Sequence, residues 1–201
     1  MRLKDKVCLI TGGAAGIGKA TAQRFVQEGA IVVICDLAVE AGEATAAELG
    51  GQSSFYKVNV ADRTDVQNWV DQVVVRYGRV DVLINNAGIT RDAMFVKVKD
   101  GVLVKQMEEQ AFDLVVDVNL KGAFNCIKSA CRPMMKQRSG RIVNMPLALA
   151  ACSCQHSPGP GFKSPVSYSL AQPGLWYHLT PQEVLQSLCL RKSPPGGLAA
   201  C

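Results

Sequence analysis

The sequence lacks any long hydrophobic run. No stretch of about 18 consecutive apolar residues is present, although a membrane-spanning helix requires one. The opening residues Met-Arg-Leu-Lys-Asp-Lys lead into a short apolar run typical of a strand, not into the apolar core of a signal peptide. We therefore expect no membrane span, no secretion signal and a cytoplasmic location, with an organellar matrix as the alternative.

The sequence also has little excess charge of either sign. The formal net charge is +5, and the basic residues are scattered along the chain. Nucleic-acid-binding proteins usually gather Lys and Arg into a patch or stripe that neutralises phosphates. The charge pattern therefore predicts no nucleic-acid partner.

Zinc-type ligand spacing is absent as well, although the chain has eight cysteines. Cys8 and Cys35 lie within apolar strand-like runs, where a cysteine behaves as a small hydrophobic residue. Cys152, Cys154 and His156 form a Cys-x-Cys-x-His cluster, but no second ligand pair follows at the spacing of a zinc site. We predict no metal site, and thiols without a dedicated role.

Residues 1–145 contain a regular alternation of two patterns. Short apolar runs predict strands that are buried on both faces, at Val7–Thr11, Ile31–Cys35, Phe55–Val60, Val80–Asn85 and Arg141–Met145. Apolar residues at helical spacing predict helices over Ile17–Gln27, Val39–Leu49, Thr64–Tyr77 and roughly Gln106–Lys136. Strands that alternate with helices predict an α/β fold, a doubly wound, Rossmann-like parallel sheet with right-handed crossovers.

The composition changes abruptly after Met145. Eight of the nine prolines and both histidines fall in the last 56 residues, whereas only four charged residues do. Closely spaced prolines after residue 157 prevent a helix there, because proline lacks the amide donor and restricts the residue before it. One short helix is predicted at about Pro181–Leu190. We therefore divide the chain into a domain of residues 1–145 and an atypical proline-rich tail, 146–201, that is largely loop or disordered.

A glycine-rich turn, Thr11-Gly-Gly-Ala-Ala-Gly-Ile-Gly18, joins the first predicted strand to the first predicted helix. Gly12 allows the tight turn, Gly16 lets the backbone approach a pyrophosphate, and Gly18 permits close packing of helix on strand. The helix N-terminus at Ile17 then faces the phosphates. The segment predicts a dinucleotide site that includes Thr11, and a plain tight turn is the alternative.

Asp36 ends the second predicted strand and supports the dinucleotide interpretation. A carboxylate at that point accepts hydrogen bonds from the hydroxyls of the adenosine ribose and repels a 2′-phosphate. The alanines at 14 and 15 agree, since the turn offers no basic side chain to that phosphate. The sequence therefore predicts NAD in preference to NADP. A helix N-cap is the alternative role of Asp36, and the two roles are compatible.

Two further motifs carry a resemblance to a known family. Asn85-Asn-Ala-Gly88 follows the fourth predicted strand, and Asn119 lies in the segment VNLKG. Together with the glycine turn, they resemble the short-chain dehydrogenase/reductase family over residues 1–145. An ordinary Asn-Gly loop is the alternative for the first motif. The resemblance implies that Asn119 is catalytic and adds the following residues to the cofactor site: Asn59, Val60, Asn86, Ala87 and Gly88.

Two segments narrow the resemblance. NNAGITRD at 85–92 and VNLKGAF at 118–124 are similar to the 3-oxoacyl-(acyl carrier protein) reductases and the related acetoacetyl-CoA reductases. This similarity implies hydride transfer between a nicotinamide cofactor and a 3-keto or 3-hydroxy acyl thioester, in a homo-oligomer whose interface we expect to be incomplete in this chain. Residues 93–113 are slightly longer than is usual before the asparagine helix, which predicts an altered surface loop.

The catalytic residues of that family are missing from their usual positions. The family places a serine after Gly-Arg-Ile-Val-Asn to hold the substrate carbonyl, and later a Tyr-x-x-x-Lys pair whose tyrosine transfers the proton. This chain has Leu147, Pro160 and Ser164 at those positions. Tyr168, followed by Gln172, is the displaced candidate, but an uncharged glutamine does not lower a phenol pKa by electrostatic attraction. A loop aromatic residue is the alternative role of Tyr168.

Three functions therefore remain open. The first is an oxidoreductase of this family whose own activity is impaired. The second is a catalytically inactive NAD-binding module that acts, if at all, by pairing with a full-length relative, and the third is a poorly folded product. We expect the change at Met145 to mark a frameshift, an alternative splice or a truncated gene product, and the sheet to be incomplete at its C-terminal side.

Overall fold

The computed structural model describes residues 1–90 and 96–145, together with the short strand Gln155–His156. A parallel sheet at its centre has the strand order β3-β2-β1-β4-β7, and a smaller sheet has the order β6-β5-β8. The strands are β1 (Val7–Thr11), β2 (Ile31–Asp36), β3 (Ser54–Lys57), β4 (Val82–Asn85), β5 (Val96–Lys99), β6 (Val102–Gln106), β7 (Arg141–Asn144) and β8 (Gln155–His156). The central sheet confirms the predicted Rossmann-like parallel arrangement.

Helices cover both faces of the central sheet. They are α1 (Gly16–Gln27), α2 (Val39–Leu49), α3 (Arg63–Tyr77), α4 (Glu109–Val116) and α5 (Gly122–Lys136), with a π-helical segment, Asp117–Lys121, between the last two. The predicted helix from Gln106 is corrected at its start, because Gln106 still pairs with Val96 in a β ladder. Within the described residues, no helix combines the length and the apolar character needed to cross a membrane.

The strands of the sheet centre are apolar throughout because they are covered from both sides. All residues of β1 and β4 are buried. One core cluster surrounds Trp69 of α3, and the other surrounds Phe25 of α1. Cys8 and Cys35 are buried in these cores as predicted, and burial raises the pKa of both thiols well above its ordinary value.

A β-hairpin occupies the segment for which the sequence predicted only an altered loop. β5 and β6 pair antiparallel through the two-residue turn Asp100-Gly101, in which both residues have positive φ, 52° and 78°. Asp-Gly between alternating β-branched residues is a strong hairpin signal. β8 extends this small sheet on the other side of β5, in parallel. The predicted helix Pro181–Leu190 lies outside the described residues.

Asp81 connects the amino-terminal ends of β1 and β4 through hydrogen bonds. Its carboxylate accepts hydrogen bonds from the Val7 amide (3.0 Å), Arg79 Nε (2.7 Å) and Lys6 Nζ (3.3 Å). Burial raises the pKa of Asp81, but the hydrogen bonds from Arg79 and Val7 and the charge of Lys6 together hold it below its ordinary value. The ionised form therefore stabilises the fold.

Replacing Asp81 by asparagine is expected to lower the free energy of unfolding by about 1–3 kcal/mol at pH 7, because it weakens a buried, charge-assisted network. A carboxyl whose pKa is lower in the folded state stabilises the fold above its unfolded-state pKa, about 4, and loses that contribution as the pH falls through the folded-state value. Urea unfolding at pH 7 and pH 3 measures this effect. Between the two pH values, the free energy of unfolding should fall less in Asp81→Asn than in the wild type. Asp71→Asn, on the exposed face of α3, is the control, and equal losses in all three proteins would contradict the assignment.

Candidate functional site

The carboxyl ends of β1 and β4 are joined by two residues of the predicted site. Thr11 Oγ1 accepts hydrogen bonds from the backbone amides of Asn86 (3.0 Å) and Ala87 (2.9 Å). The side-chain amide of Asn86 in turn donates to the carbonyl oxygens of Thr11 and Gly12, both at 3.0 Å. Thr11 and Asn86 thus hold the glycine turn against the Asn-Asn-Ala-Gly segment.

Three glycines of the turn differ in what surrounds them. A Cβ atom on Gly12, whose φ is +65°, would lie 2.9 Å from Ala87 Cα, and one on Gly18 would overlap the Gly12 carbonyl oxygen. These two glycines allow the turn, α1 and the segment after β4 to approach closely. Gly16 has φ +55°, and a Cβ there would meet no atom within 4 Å. Its open side leaves room for a ligand at the start of α1.

The start of α1 has the properties of an anion site. Its N-cap, Ala15, provides no side-chain hydrogen bond, and its first turn carries no acidic residue. Ile17, in that turn, is 53% exposed. The first amides of a helix lack partners within the helix and attract negative charge. The uncapped amides and the open side of Gly16 therefore fit the pyrophosphate of a dinucleotide.

Asp36 lies beside this turn at the end of β2. Its Oδ2 accepts a hydrogen bond from the Ala14 amide at 3.2 Å, and its Oδ1 accepts from Leu37 (2.7 Å) and Ala38 (3.2 Å). The N-cap of α2 is Ala38, so Asp36 is not the cap of that helix. The structure thus places the carboxylate in direct contact with the glycine turn.

Asn59 and Val60 follow β3, and α5 holds the backbone of this segment at Val60. Asn59 Oδ1 accepts from the Ala61 amide at 3.1 Å, and the Val60 carbonyl accepts from Asn125 Nδ2 at 3.0 Å. The sequence analysis missed Asn125. Its signal was an asparagine on the apolar side of a helix, next to Cys126, where a polar side chain needs a buried partner.

Asn119 lies in the π-helical segment and faces the residue after Gly88. Its Oδ1 accepts from the Ile89 amide at 2.8 Å, and its Nδ2 donates to the Ile89 carbonyl at 3.0 Å. π-Helical turns within α-helices are frequent at functional sites. In this structure Asn119 fixes the backbone that continues from the Asn-Asn-Ala-Gly motif, so both motifs belong to one edge of the sheet.

At the same edge of the sheet, β4 also contacts β7, its neighbour on the side away from β1. Asn85 Nδ2 donates to Asn144 Oδ1 at 2.8 Å, and the Met145 amide donates to the Asn85 carbonyl at 2.9 Å. The buried Asn85 Oδ1 has no partner among the described residues. Asn144 was not predicted as a site residue. Tyr168, the residues at 147, 160 and 164, and the side chains of Cys152, Cys154 and His156 lie outside the described residues.

The chain is similar to known proteins over the part that contains these motifs. Residues 6–151 match the family model for short chain dehydrogenases. A 3-oxoacyl-[acyl-carrier-protein] reductase, FabG, of Thermotoga maritima is 48% identical over 148 residues, which are 72% of this chain and 56% of that protein. Tropinone reductase-like 1 of Erythroxylum coca is 43% identical over 142 residues, 71% of this chain and 50% of that protein.

A solved structure shows the same relationship. The crystal structure of NAD+-bound xylitol dehydrogenase matches 72% of this chain and 54% of that chain, with 36% identity and a TM-score of 0.63. The matched part of the chain spans about half the length of the curated relatives.

Proposed function

Because the chain belongs to the short-chain dehydrogenase family, whose members are oxidoreductases, we propose that residues 1–145 bind a nicotinamide dinucleotide and prefer NAD(H) to NADP(H). Family membership and the NAD+-bound structural relative support the nicotinamide cofactor. The contact between Asp36 and the Ala14 amide carries the preference, because it sets a carboxylate beside the phosphate-binding turn.

Each part of the dinucleotide would meet a defined group of the chain. The amides at the start of α1 and the open side of Gly16 would hold the pyrophosphate, and Asp36 would accept hydrogen bonds from the adenosine ribose. Thr11, Asn86 and Asn119 would position the backbone around the nicotinamide end. When bound, the nicotinamide supplies or accepts the hydride of the reaction.

The proposed parent reaction is the interconversion of a 3-oxoacyl and a 3-hydroxyacyl thioester, or of a similar ketone and alcohol. The Thermotoga maritima relative and the segment NNAGITRD support this substrate class. This chain's own activity is proposed to be impaired, because Leu147 has no hydroxyl to hold a carbonyl, Pro160 has no phenol to transfer a proton, and Ser164 has no ammonium group to tune a tyrosine. A cytoplasmic location belongs to the same proposal.

A catalytically inactive NAD-binding module is the alternative. It would act, if at all, by pairing with a full-length relative. Two observations together favour it. The glycine turn makes its contacts with Asp36 and with the Asn-Asn-Ala-Gly segment, whereas positions 147, 160 and 164 lack the catalytic residues of the family.

Replacing Asp36 by alanine tests the proposed preference. We expect NADH to bind roughly tenfold more weakly, because two ribose hydroxyls lose a charged acceptor, and NADPH to bind more tightly, because the repulsion of its 2′-phosphate is lost. Fluorescence titration with both dinucleotides measures the two dissociation constants. Asp71→Ala removes the same charge from the exposed face of α3 and should leave the ratio unchanged. An unchanged ratio in Asp36→Ala would refute the role of Asp36.

The helical surface of α4 and α5 supports a homo-oligomer as the proposed assembly. Leu120, Phe124 and Met135 are exposed by 62%, 58% and 76%. Along the same helical segment, the acidic residues lie in the first half (Glu109, Asp113, Asp117) and most basic residues in the second (Lys128, Arg132, Lys136), while Lys121 is paired with Asp117 within the chain at 3.2 Å. A second copy that runs antiparallel would set Glu109 opposite Lys136 and Asp113 opposite Arg132. The charges and the apolar side chains therefore fit pairing with a second copy.

Reversing one charge of this surface is expected to weaken self-association. In Arg132→Asp, the new aspartate of each copy would lie opposite Asp113 of the other copy, so the symmetric contact would contain two pairs of like charges. The association constant should therefore fall about tenfold or more at low salt. The double variant Asp113→Arg/Arg132→Asp restores opposite charges and should recover most of it. Sedimentation equilibrium measures all three proteins. A monomeric wild type, or equal association in all three, would contradict the proposed pairing.

A further inference from the structure

Thr45 is a buried threonine of α2 that faces the glycine turn. It is 1% exposed, and its hydroxyl donates a hydrogen bond of 2.8 Å to the carbonyl oxygen of Ala14. A threonine hydroxyl within a helix commonly bonds a carbonyl in the preceding turn of its own helix. The Thr45 hydroxyl instead reaches a residue 31 positions earlier in the chain.

The contact matters because Ala14 is held on both sides. Its amide donates to Asp36 Oδ2 at 3.2 Å, while its carbonyl accepts from Thr45. Ala14 itself is buried, so its carbonyl would have no ready access to water if the hydroxyl were removed. A buried carbonyl without a partner is costly, and the backbone is expected to shift in order to find one. Such a shift would move the Ala14 amide away from Asp36.

We propose that Thr45 is a positioning residue of the dinucleotide site, which sets the discrimination between NAD(H) and NADP(H) through Ala14 and Asp36. The inference rests on the proposed function, since it concerns the way Asp36 meets the adenosine ribose. The Oδ1 atom of Asp36 is held independently by the amides of Leu37 and Ala38. The Oδ2 atom is therefore the one whose position depends on Ala14, and a less firmly held carboxylate binds ribose hydroxyls less well and opposes a 2′-phosphate less strongly.

Thr45→Val removes the hydroxyl and keeps the shape of the side chain. We expect the dissociation constant for NADH to rise about tenfold and that for NADPH to change much less, so that the preference for NADH narrows. Thr45→Ser keeps the hydroxyl and should retain the preference. Thr21→Val is the matched control, because Thr21 is equally buried and its Oγ1 has no hydrogen-bond partner among the described residues.

Fluorescence titration with NADH and NADPH and thermal unfolding of each variant decide the matter. Equal weakening of both dinucleotides in Thr45→Val, or a lower melting temperature with an unchanged ratio, would overturn the inference, since packing alone accounts for either result. If Thr45→Val does not fold, Thr45→Cys provides the comparison with a much weaker donor. A wild type that binds neither dinucleotide overturns the proposed function together with this inference. A wild type that prefers NADH, with the same ratio in Thr45→Val, overturns the inference alone.

Discussion

Reduction of acetoacetyl-CoA is expected to be about 1,000-fold slower, or slower still, for this chain than for the Thermotoga maritima reductase, when each protein is assayed with whichever of NADH and NADPH it uses better. A positioned general acid contributes about 100- to 10,000-fold to such a reaction, and residues that act as one catalytic unit lose most of their effect when any of them is removed. Leu147, Pro160 and Ser164 have neither a phenol nor an ammonium group to supply. Steady-state assays of both proteins in one buffer measure the difference.

Dinucleotide binding must be measured beside these rates, so that a misfolded preparation is not taken for an inactive enzyme. Binding without turnover would support the inactive-module alternative. Turnover at the rate of the relative would contradict the proposed impairment. Tyr168 would then be the candidate for the proton-transferring residue. Tyr168→Phe would then be expected to abolish it, because phenylalanine cannot transfer a proton.

Gly18→Ala is expected to damage both the fold and the proposed cofactor site. The added Cβ would overlap the Gly12 carbonyl oxygen and lie 2.7 Å from Asn86 Nδ2. Since both atoms belong to the contact that ties β1 to β4, the methyl group cannot be accommodated without opening that contact. We expect the free energy of unfolding to fall by about 2–3 kcal/mol, in the range of overpacked cores, and NADH binding to be lost.

Gly16→Ala is the matched control for the change in stability; it does not control for NADH binding, because Gly16 belongs to the proposed pyrophosphate site. Its positive φ of +55° opposes an alanine, but its Cβ would meet no atom within 4 Å, so the cost should be limited to about 1–2 kcal/mol of backbone strain. Chemical denaturation of the wild type and both variants gives the comparison. Gly18→Ala as stable as Gly16→Ala would show that the turn and α1 are less tightly packed than the structure indicates.

The central sheet was predictable because its signal is local. β1 and α2 begin and end at the predicted residues, since a continuous apolar run marks a strand covered on both faces and apolar residues at helical spacing mark a helix. The hairpin of β5 and β6 was missed although Asp100-Gly101 is a strong turn signal, because the segment was judged by its length relative to a family. A resemblance carried by short motifs does not predict the structure of the segment between them.

The site was predictable as a set of residues but not as a set of contacts. The motifs identified Asn86 and Asn119, yet only the structure shows that both side-chain amides are engaged with backbone groups. Thr45 and Asn125 carried no motif at all. Their partners lie 31 and 65 positions away in the chain, and contacts at such separations follow from the packing of helices on the sheet. A local pattern does not reveal them.

Fluorescence titration of the wild-type chain with NADH and NADPH tests the central claim most directly. The claim is that the glycine turn, the start of α1 and Asp36 together form a dinucleotide site that favours the cofactor without a 2′-phosphate. It predicts saturable binding of NADH with a dissociation constant clearly below that of NADPH. Absence of saturable NADH binding, or tighter binding of NADPH, would contradict it.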